Sequence, residues 1–347
     1  MKKNILLLFC WGTISMTKNE NTGALDIENG ADQLFKLEPR IVELANIDVQ
    51  VVDNLDSSNA TPRLWEKIWD IIYEKYNEYD WFIITTWTNT MAYMASALSF
   101  SLSNIWKPVV LTGAQIPAES ISTDGRNNLV NALRVTTMDL WWVFLVFGSK
   151  LILWCRSKKV SESNLDAFAS FNQKEFGEIG IGIKLNYDTH KSHENPLVLK
   201  NWFDEDVMSI TLFPWVSNEH LIKMIDFWIK WFVFRWFGTW DVPEYIFPFL
   251  EKAKEKKIPV IVTTQCRWST MMGIDSVGFD ALKLGVIEAY DMSMETMMWK
   301  LMWLLKQKYS YDQIKTMMQR NFYGEVNTTK ARVFRNQELQ KAIDELK

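Results

Sequence analysis

Glycine is scarce in this chain. Its 347 residues include 14 glycines, whereas an average share near 7% would give about 24. Tryptophan, at 18, outnumbers glycine. Cysteine is scarcer still. Cys10, Cys155 and Cys266 are odd in number and far apart, which excludes a disulfide framework and points to a reducing, cytoplasmic setting. Runs of lysine and arginine are missing and the net charge is −4 with both signs mixed, so no nucleic-acid partner is expected. No apolar run approaches the ~18 residues of a membrane span. Residues 1–10 imitate a secretion signal ending in Cys10. Their apolar stretch of about five residues falls short of the roughly 7–15 of a signal core, so a buried first strand is expected. Repeats and low-complexity segments are also lacking.

What is present is alternation. A chain of this length exceeds the size at which one core keeps growing, so two domains are expected. Strand-like runs at Ile5–Phe9, Ile47–Val52, 82–86, Pro108–Thr112 and Val143–Phe147 are separated by helix-like segments near 61–76, 90–102 and 125–138. Pro62 falls near N1 of the first of these, where helices accept it. Strands spaced by helices predict a parallel sheet flanked by helices. Residues 11–30 and 186–206 are polar and read as a loop and an interdomain linker. The alternation resumes with strands at 208–212, 231–236 and 259–263 and helices near 217–227, 243–256, 277–284, 294–308 and 311–321. The fold class expected is α/β, with an N-terminal domain 1–190, a linker 191–207 and a smaller domain 208–347.

The chain is organised around residues 81–100. A short apolar run ends in the polar knot Thr85-Thr86-Trp87-Thr88-Asn89-Thr90, and a helical pattern follows at once. Ligands of open α/β sheets sit at the carboxyl ends of the strands, which makes Thr88 and Asn89 first candidates. Two more strand-end loops carry polar groups: Trp11-Gly12-Thr13-Ile14-Ser15 and Arg156-Ser157-Lys158-Lys159. A threonine hydroxyl becomes a nucleophile only when a base takes its proton, and a lysine can be that base if burial lowers its pKa. Taken alone, hydroxyls and lysines in loops are more often solvated turn residues. His190 and His193 have a ligand-like spacing but no third ligand nearby, so no metal is expected.

Several segments together resemble the type I (cytosolic) L-asparaginases. They are Gly12-Thr13-Ile14, Thr88-Asn89-Thr90-Met91-Ala92-Tyr93, Lys107 to Pro117, Asp124-Gly125-Arg126-Asn127-Asn128-Leu129 and Asp166 to Phe171, followed by Phe237-Gly238-Thr239, Thr264-Gln265-Cys266 and Gly285-Val286-Ile287 with Asp291-Met292. The resemblance runs in order over nearly the whole chain. It implies hydrolysis of the asparagine side-chain amide to aspartate and ammonia, without a cofactor, by a homodimer or homotetramer. Thr13 matches the family's nucleophile, Thr88 its second catalytic threonine, and Lys159 the lysine that activates it, with Lys158 as the adjacent alternative. Asp56-Ser57-Ser58 matches the loop that grips the substrate's α-amino and α-carboxylate groups. Backbone N–H groups near 87–88 and Ala114 match the oxyanion site. A glutaminase–asparaginase is a close alternative. The amidase-like component of a tRNA-dependent amidotransferase is another alternative; it usually carries an extra N-terminal domain, and an expected first strand at Ile5 argues against it.

Two departures bear on function. Asn89 stands where the family has aspartate, and a charged hydrogen bond worth about 1.5–3 kcal/mol is weakened or lost. A catalytically silent homologue that binds an amino acid or a partner is therefore the alternative from another class. The tyrosine that many members carry in a mobile loop also has no counterpart near Gly23-Ala24. The second departure is systematic. Trp11, Trp87, Trp154, Trp215, Trp240 and Trp268 stand where the family has glycine, and Trp81, Trp106 and Trp236 look similar, whereas Trp65 and Trp303 fit helical patterns. Overpacking costs about 1–3 kcal/mol per site, so six such sites rival a total stability of about 5–15 kcal/mol. A chain built so is expected neither to fold well nor to admit substrate beside Thr13. Genuine tryptophans in a divergent homologue are one reading; the preferred one is that UGA codons, read as glycine in some bacterial lineages and as tryptophan in others, produce this exchange.

Overall fold

The computed structural model describes residues 2–10, 12–18, 25–26, 30–53, 59–188, 195–227, 229–238, 242–267, 269–270, 272 and 276–329. The chain divides into two units, Met1–Asn201 and Trp202–Lys347.

The first unit is built on an eight-stranded sheet. Its strands are β1 (Asn4–Phe9), β2 (Asn46–Val51), β3 (Trp81–Thr85), β4 (Pro108–Thr112), β5 (Trp142–Phe147), β6 (Lys150–Leu153), then, beyond the hairpin of β7 (Ser157–Lys159) and β8 (Phe168–Ser170), β9 (Gly177–Ile179) and β10 (Ile183–Leu185). The order across the large sheet is β10-β9-β6-β5-β4-β3-β1-β2. From β2 to β5 every pairing is parallel. From β5 to β10 every pairing is antiparallel. The expected parallel sheet is therefore extended by hairpins. Their strands are three or four residues long, too short for periodicity to reveal. The central strands are apolar throughout: Ile5 to Phe9, Phe82 to Ile84, Val109 to Leu111 and Val143 to Val146 are essentially inaccessible, as strands covered on both faces require.

Helix α1 (Pro62–Glu74) has Pro at its start and buries Leu64, Trp65, Ile68, Trp69 and Ile72. Those positions form the one-sided stripe of a 3.6-residue period. Helix α2 (Met91–Ser101) is different, because of its residues only Tyr93 is not buried. Its buried hydroxyls donate back along the helix: Ser96 to the Ala92 carbonyl (2.9 Å), Ser99 to Ala95 (3.0 Å) and Ser101 to Ala97 (2.8 Å). A serine-rich helix can thus sit in the core without an orphaned polar group. Helix α3 (Gly125–Thr136) follows β4.

Part of the expected linker belongs to the first unit. Val198–Leu199 pairs antiparallel with Leu102–Ser103, and the Trp106 indole donates to the Asn195 carbonyl at 2.7 Å. The second unit holds a four-stranded parallel sheet, β11 (Val207–Thr211), β12 (Trp231–Trp236), β13 (Val260–Thr264) and β14 (Ile287–Glu288), in that order. Its core includes Phe232, Phe234, Phe249 and Val262. Among the described residues no helix is long and apolar enough to cross a membrane.

Of the tryptophans expected at family glycine positions, Trp154 is fully buried and meets Phe100 edge-on, with ring centroids 5.0 Å apart. Trp215 is 91% exposed, with φ of 76°. Trp11, Trp240 and Trp268 lie outside the described residues. Cys10 and Cys155 are buried, whereas Cys266, just past the end of β13, is exposed.

Candidate active site

Three loops leave the carboxyl ends of β1, β3 and β4 side by side. Phe9 and Thr85 are register partners, as are Thr85 and Thr112. The ladder continues one step past the strands, with Cys10 N–H donating to the Thr85 carbonyl and Thr86 N–H to the Thr112 carbonyl, both at 3.0 Å. The first loop then tightens into a 3-10 turn, Thr13–Ser15. Glycine is needed just before that turn. Gly12 has φ of 141°, and a Cβ there would lie 3.0 Å from Thr86 C and Trp87 N, a contact only glycine avoids. At Gly113 a Cβ would collide with the Thr86 carbonyl. The two glycines let the outer loops press against the middle one, so Thr13, Thr88 and Ala114 stand on adjoining segments. Thr13 is partly exposed and Ala114 buried.

Lys159 reaches this cluster from β7. Its Nζ lies 2.7 Å from Thr88 Oγ1 and 2.8 Å from Asn89 Oδ1. The antiparallel pairing of Lys159 with Phe168 fixes the strand's register, and successive strand residues point to opposite faces. Lys158 accordingly goes the other way, its Nζ lying 5.1 Å over the Phe171 ring. Lys159, not Lys158, is the lysine of the cluster. Burial pushes the Lys159 amine below the usual lysine range, while Glu162 pulls weakly the other way. Its Thr88 and Asn89 partners are both neutral. An amine that loses its proton more readily can accept one from a hydroxyl 2.7 Å away.

Sequence reading missed Gln115. Thr88 Oγ1 donates to Gln115 Oε1 at 3.0 Å, and Gln115 Nε2 donates to the carbonyls of Glu162 (3.1 Å) and Asn164 (3.4 Å). Because those carbonyls can only accept, they fix which end of the amide faces Thr88. The Asp124-to-Leu129 segment serves as scaffold. Asp124 accepts from Gln115 N–H (3.0 Å), Ile116 N–H (3.0 Å) and Asn128 Nδ2 (2.9 Å). Asn128, itself buried, donates to the Gly113 carbonyl (2.9 Å) and accepts from Gly148 N–H (2.8 Å). The loop bearing Ala114 and Gln115 is thus held by one carboxylate and one amide at the start of α3.

The remaining candidates are not joined to this cluster. Asp56, Ser57 and Ser58 lie outside the described residues, as do His190 and His193. Among the described residues no group of three His, Cys, Asp or Glu side chains could hold a metal. The hydroxyls of Thr85, Thr86 and Thr90 are buried without a hydrogen-bond partner among the described residues, as is the indole N–H of Trp87. Trp87 sits in the middle loop, immediately before Thr88.

Comparison with known proteins agrees with this geometry. The asparaginase N-terminal domain profile matches residues 4–191 and the glutaminase/asparaginase C-terminal domain profile matches residues 206–318. L-asparaginase 1 of Escherichia coli K12 is 32% identical over 333 residues, spanning 94% of this chain and 98% of that protein. A component of the glutamyl-tRNA(Gln) amidotransferase of Pyrococcus abyssi is 32% identical over 327 residues, or 91% of this chain and 75% of that one. The crystal structure of L-asparaginase I from Vibrio cholerae superposes with a TM-score of 0.86 at 32% identity, covering 94% of this chain and 100% of that one. With both domains matched and the fold shared, the chain belongs to the asparaginase family.

Proposed function

We propose that this chain is an L-asparaginase, hydrolysing the side-chain amide of L-asparagine to L-aspartate and ammonia. The observation that carries the reading is the 2.7 Å contact between Lys159 Nζ and Thr88 Oγ1 at the carboxyl edge of a parallel sheet. Thr13 is the nucleophile of the proposed reaction. Its hydroxyl oxygen attacks the amide carbon, the hydroxyl proton passes to the amide nitrogen, which leaves as ammonia, and an aspartyl ester on Thr13 remains. Water then opens that ester, with Thr88 and Lys159 taking its proton and the Thr13 oxygen regaining one as it leaves. Backbone N–H groups in the loops at 87–88 and 114 are the candidates to hold the oxyanion, and Asp56, Ser57 and Ser58 to hold the α-amino and α-carboxylate groups. Amide hydrolysis through a hydroxyl nucleophile and a lysine base uses no cofactor. The three free cysteines suit a reducing cytoplasm, and a homodimer or homotetramer is the proposed assembly.

A second reading rests on one residue. Asn89 offers Lys159 an amide oxygen rather than a carboxylate, which suits a silent homologue that binds asparagine without cleaving it. Ammonia release from L-asparagine and L-glutamine, measured beside binding of both by calorimetry, separates the readings. Release from asparagine supports the enzyme, and binding with no release supports the silent homologue.

A further inference from the structure

We propose that Asn89 and Gln115 are neutral positioning residues that set the direction of the hydrogen bond between Thr88 and Lys159, and with it the pH at which the pair becomes competent. This rests on the reading of Lys159 as the base for Thr88. When Lys159 carries its proton it has donors only, so it donates to both Thr88 Oγ1 and Asn89 Oδ1. The Thr88 hydrogen must then go elsewhere, and it goes to Gln115 Oε1 at 3.0 Å. That oxygen is held in place because Gln115 Nε2 is bound to the Glu162 and Asn164 carbonyls. Once Lys159 is neutral, its lone pair accepts the Thr88 hydrogen, and Asn89 keeps one N–H of the amine. Gln115 is therefore a partner of Thr88 in the resting, protonated pair and is released in the competent one.

The two neutral residues act in opposite senses. A carboxylate at position 89 would favour the ammonium. An apolar group at position 115 would leave the Thr88 hydrogen without an acceptor in the protonated pair and so favour the neutral amine. Glu162 is the charged group that acts on Lys159, and it favours the ammonium. Lys158, on the other face of β7, is engaged over Phe171. Gln115 takes its place as a positioning residue because it touches Thr88 and not the amine.

The test is a titration of Lys159 by NMR in the full chain labelled at lysine, its signal identified by loss in K159R. This readout does not require turnover, so it stands apart from whether ammonia is released. Relative to the unsubstituted chain, the midpoint moves up in N89D and down in Q115M, with Q115L in its place if Q115M does not fold. If the chain is active, the acid limb of kcat/KM moves in the same two directions. A midpoint that fails to move in its stated direction in either variant overturns the proposal. A packing role alone would move neither.

From separate observations we infer that Trp142 and Trp215 are glycines in the protein made by its source organism. Trp142 has φ of 101° and Trp215 φ of 76°, backbone that glycine adopts freely and a bulky residue almost never does. Composition agrees. Reassigning about ten of the 18 tryptophans would raise the 14 glycines to the roughly 24 of an average chain. A codon read as glycine by the source and translated as tryptophan produces both signs at once. Peptide mass spectrometry of the native protein decides it. A glycine mass at residues 142 and 215 is expected, and a tryptophan mass at either overturns the inference.

Discussion

The two units use the same local grammar to different ends. In the first, strand β3 finishes in hydroxyls, and Thr88 is bonded to side chains: Lys159 and Gln115. In the second, strand β13 ends at Thr264 with Gln265 next, and the side chains of both are bonded to main chain. Thr264 Oγ1 accepts from Cys266 N–H, and Gln265 Nε2 donates to the Leu212 and Arg235 carbonyls at 2.7 and 3.1 Å. A side chain bonded to backbone holds a loop and has little left to exchange. A hydroxyl shared between an amine and an amide can change partners as a proton moves. Chemistry is expected where polar side chains satisfy one another, and architecture where they satisfy the backbone.

Substitutions sharpen that contrast. The largest effect is expected at Thr13 and Thr88: alanine at either lowers ammonia release from asparagine by about 10⁴-fold, as loss of one member of a nucleophilic constellation does. Lys159→Met removes the base and lowers kcat by about 10²–10⁴, with a smaller change in KM. Asp124→Ala strips the acceptor from two loop N–H groups and the Asn128 amide. It is expected to cost about 1–3 kcal/mol of stability, read as a lower Tm, and up to about 10² in kcat through misplacement of the loop. Gln265→Ala is expected to cost a similar amount of stability, but to change kcat less than Asp124→Ala. A larger fall in kcat for Gln265→Ala would erase the distinction between the units.

The pH dependence follows from the lysine. Burial lowers the Lys159 pKa, so its folded-state value lies below that of the unfolded chain. The charged amine is therefore disfavoured in the folded protein, and this penalty is relieved as pH rises from the folded value to the higher unfolded one. Activity is expected to rise as pH passes through the folded value, at lower pH than an ordinary lysine would impose. Asn89, which adds no negative charge, leaves that lowering uncorrected.

Much of this was legible in the sequence. Residues 82–84 and 109–111 are apolar on both faces and announce central strands, and the run from Met91 to Ser101 has the length and composition of a buried helix. Pro62 marks a helix start where one is found. What periodicity could not reach was the hairpin extension of the sheet, because strands of three residues such as Gly177–Ile179 carry too little pattern. The site was legible only in pieces. Thr88 and Asn89 declare themselves at the end of a strand, but Lys159 is 71 residues from Thr88, and family resemblance rather than spacing singled it out. Gln115 left no signal, since its role depends on two main-chain carbonyls in a loop some 47 and 49 residues away. A side chain whose partners are backbone carbonyls has no partner identity to read.

The measurement that most directly tests the account is rapid quenching of the chain with L-asparagine, followed by peptide mass spectrometry. The account predicts an aspartyl ester on the peptide carrying Thr13, accumulating when Lys159→Met slows its hydrolysis. An ester on Thr88 instead, or sustained turnover with neither threonine modified in either protein, would contradict it.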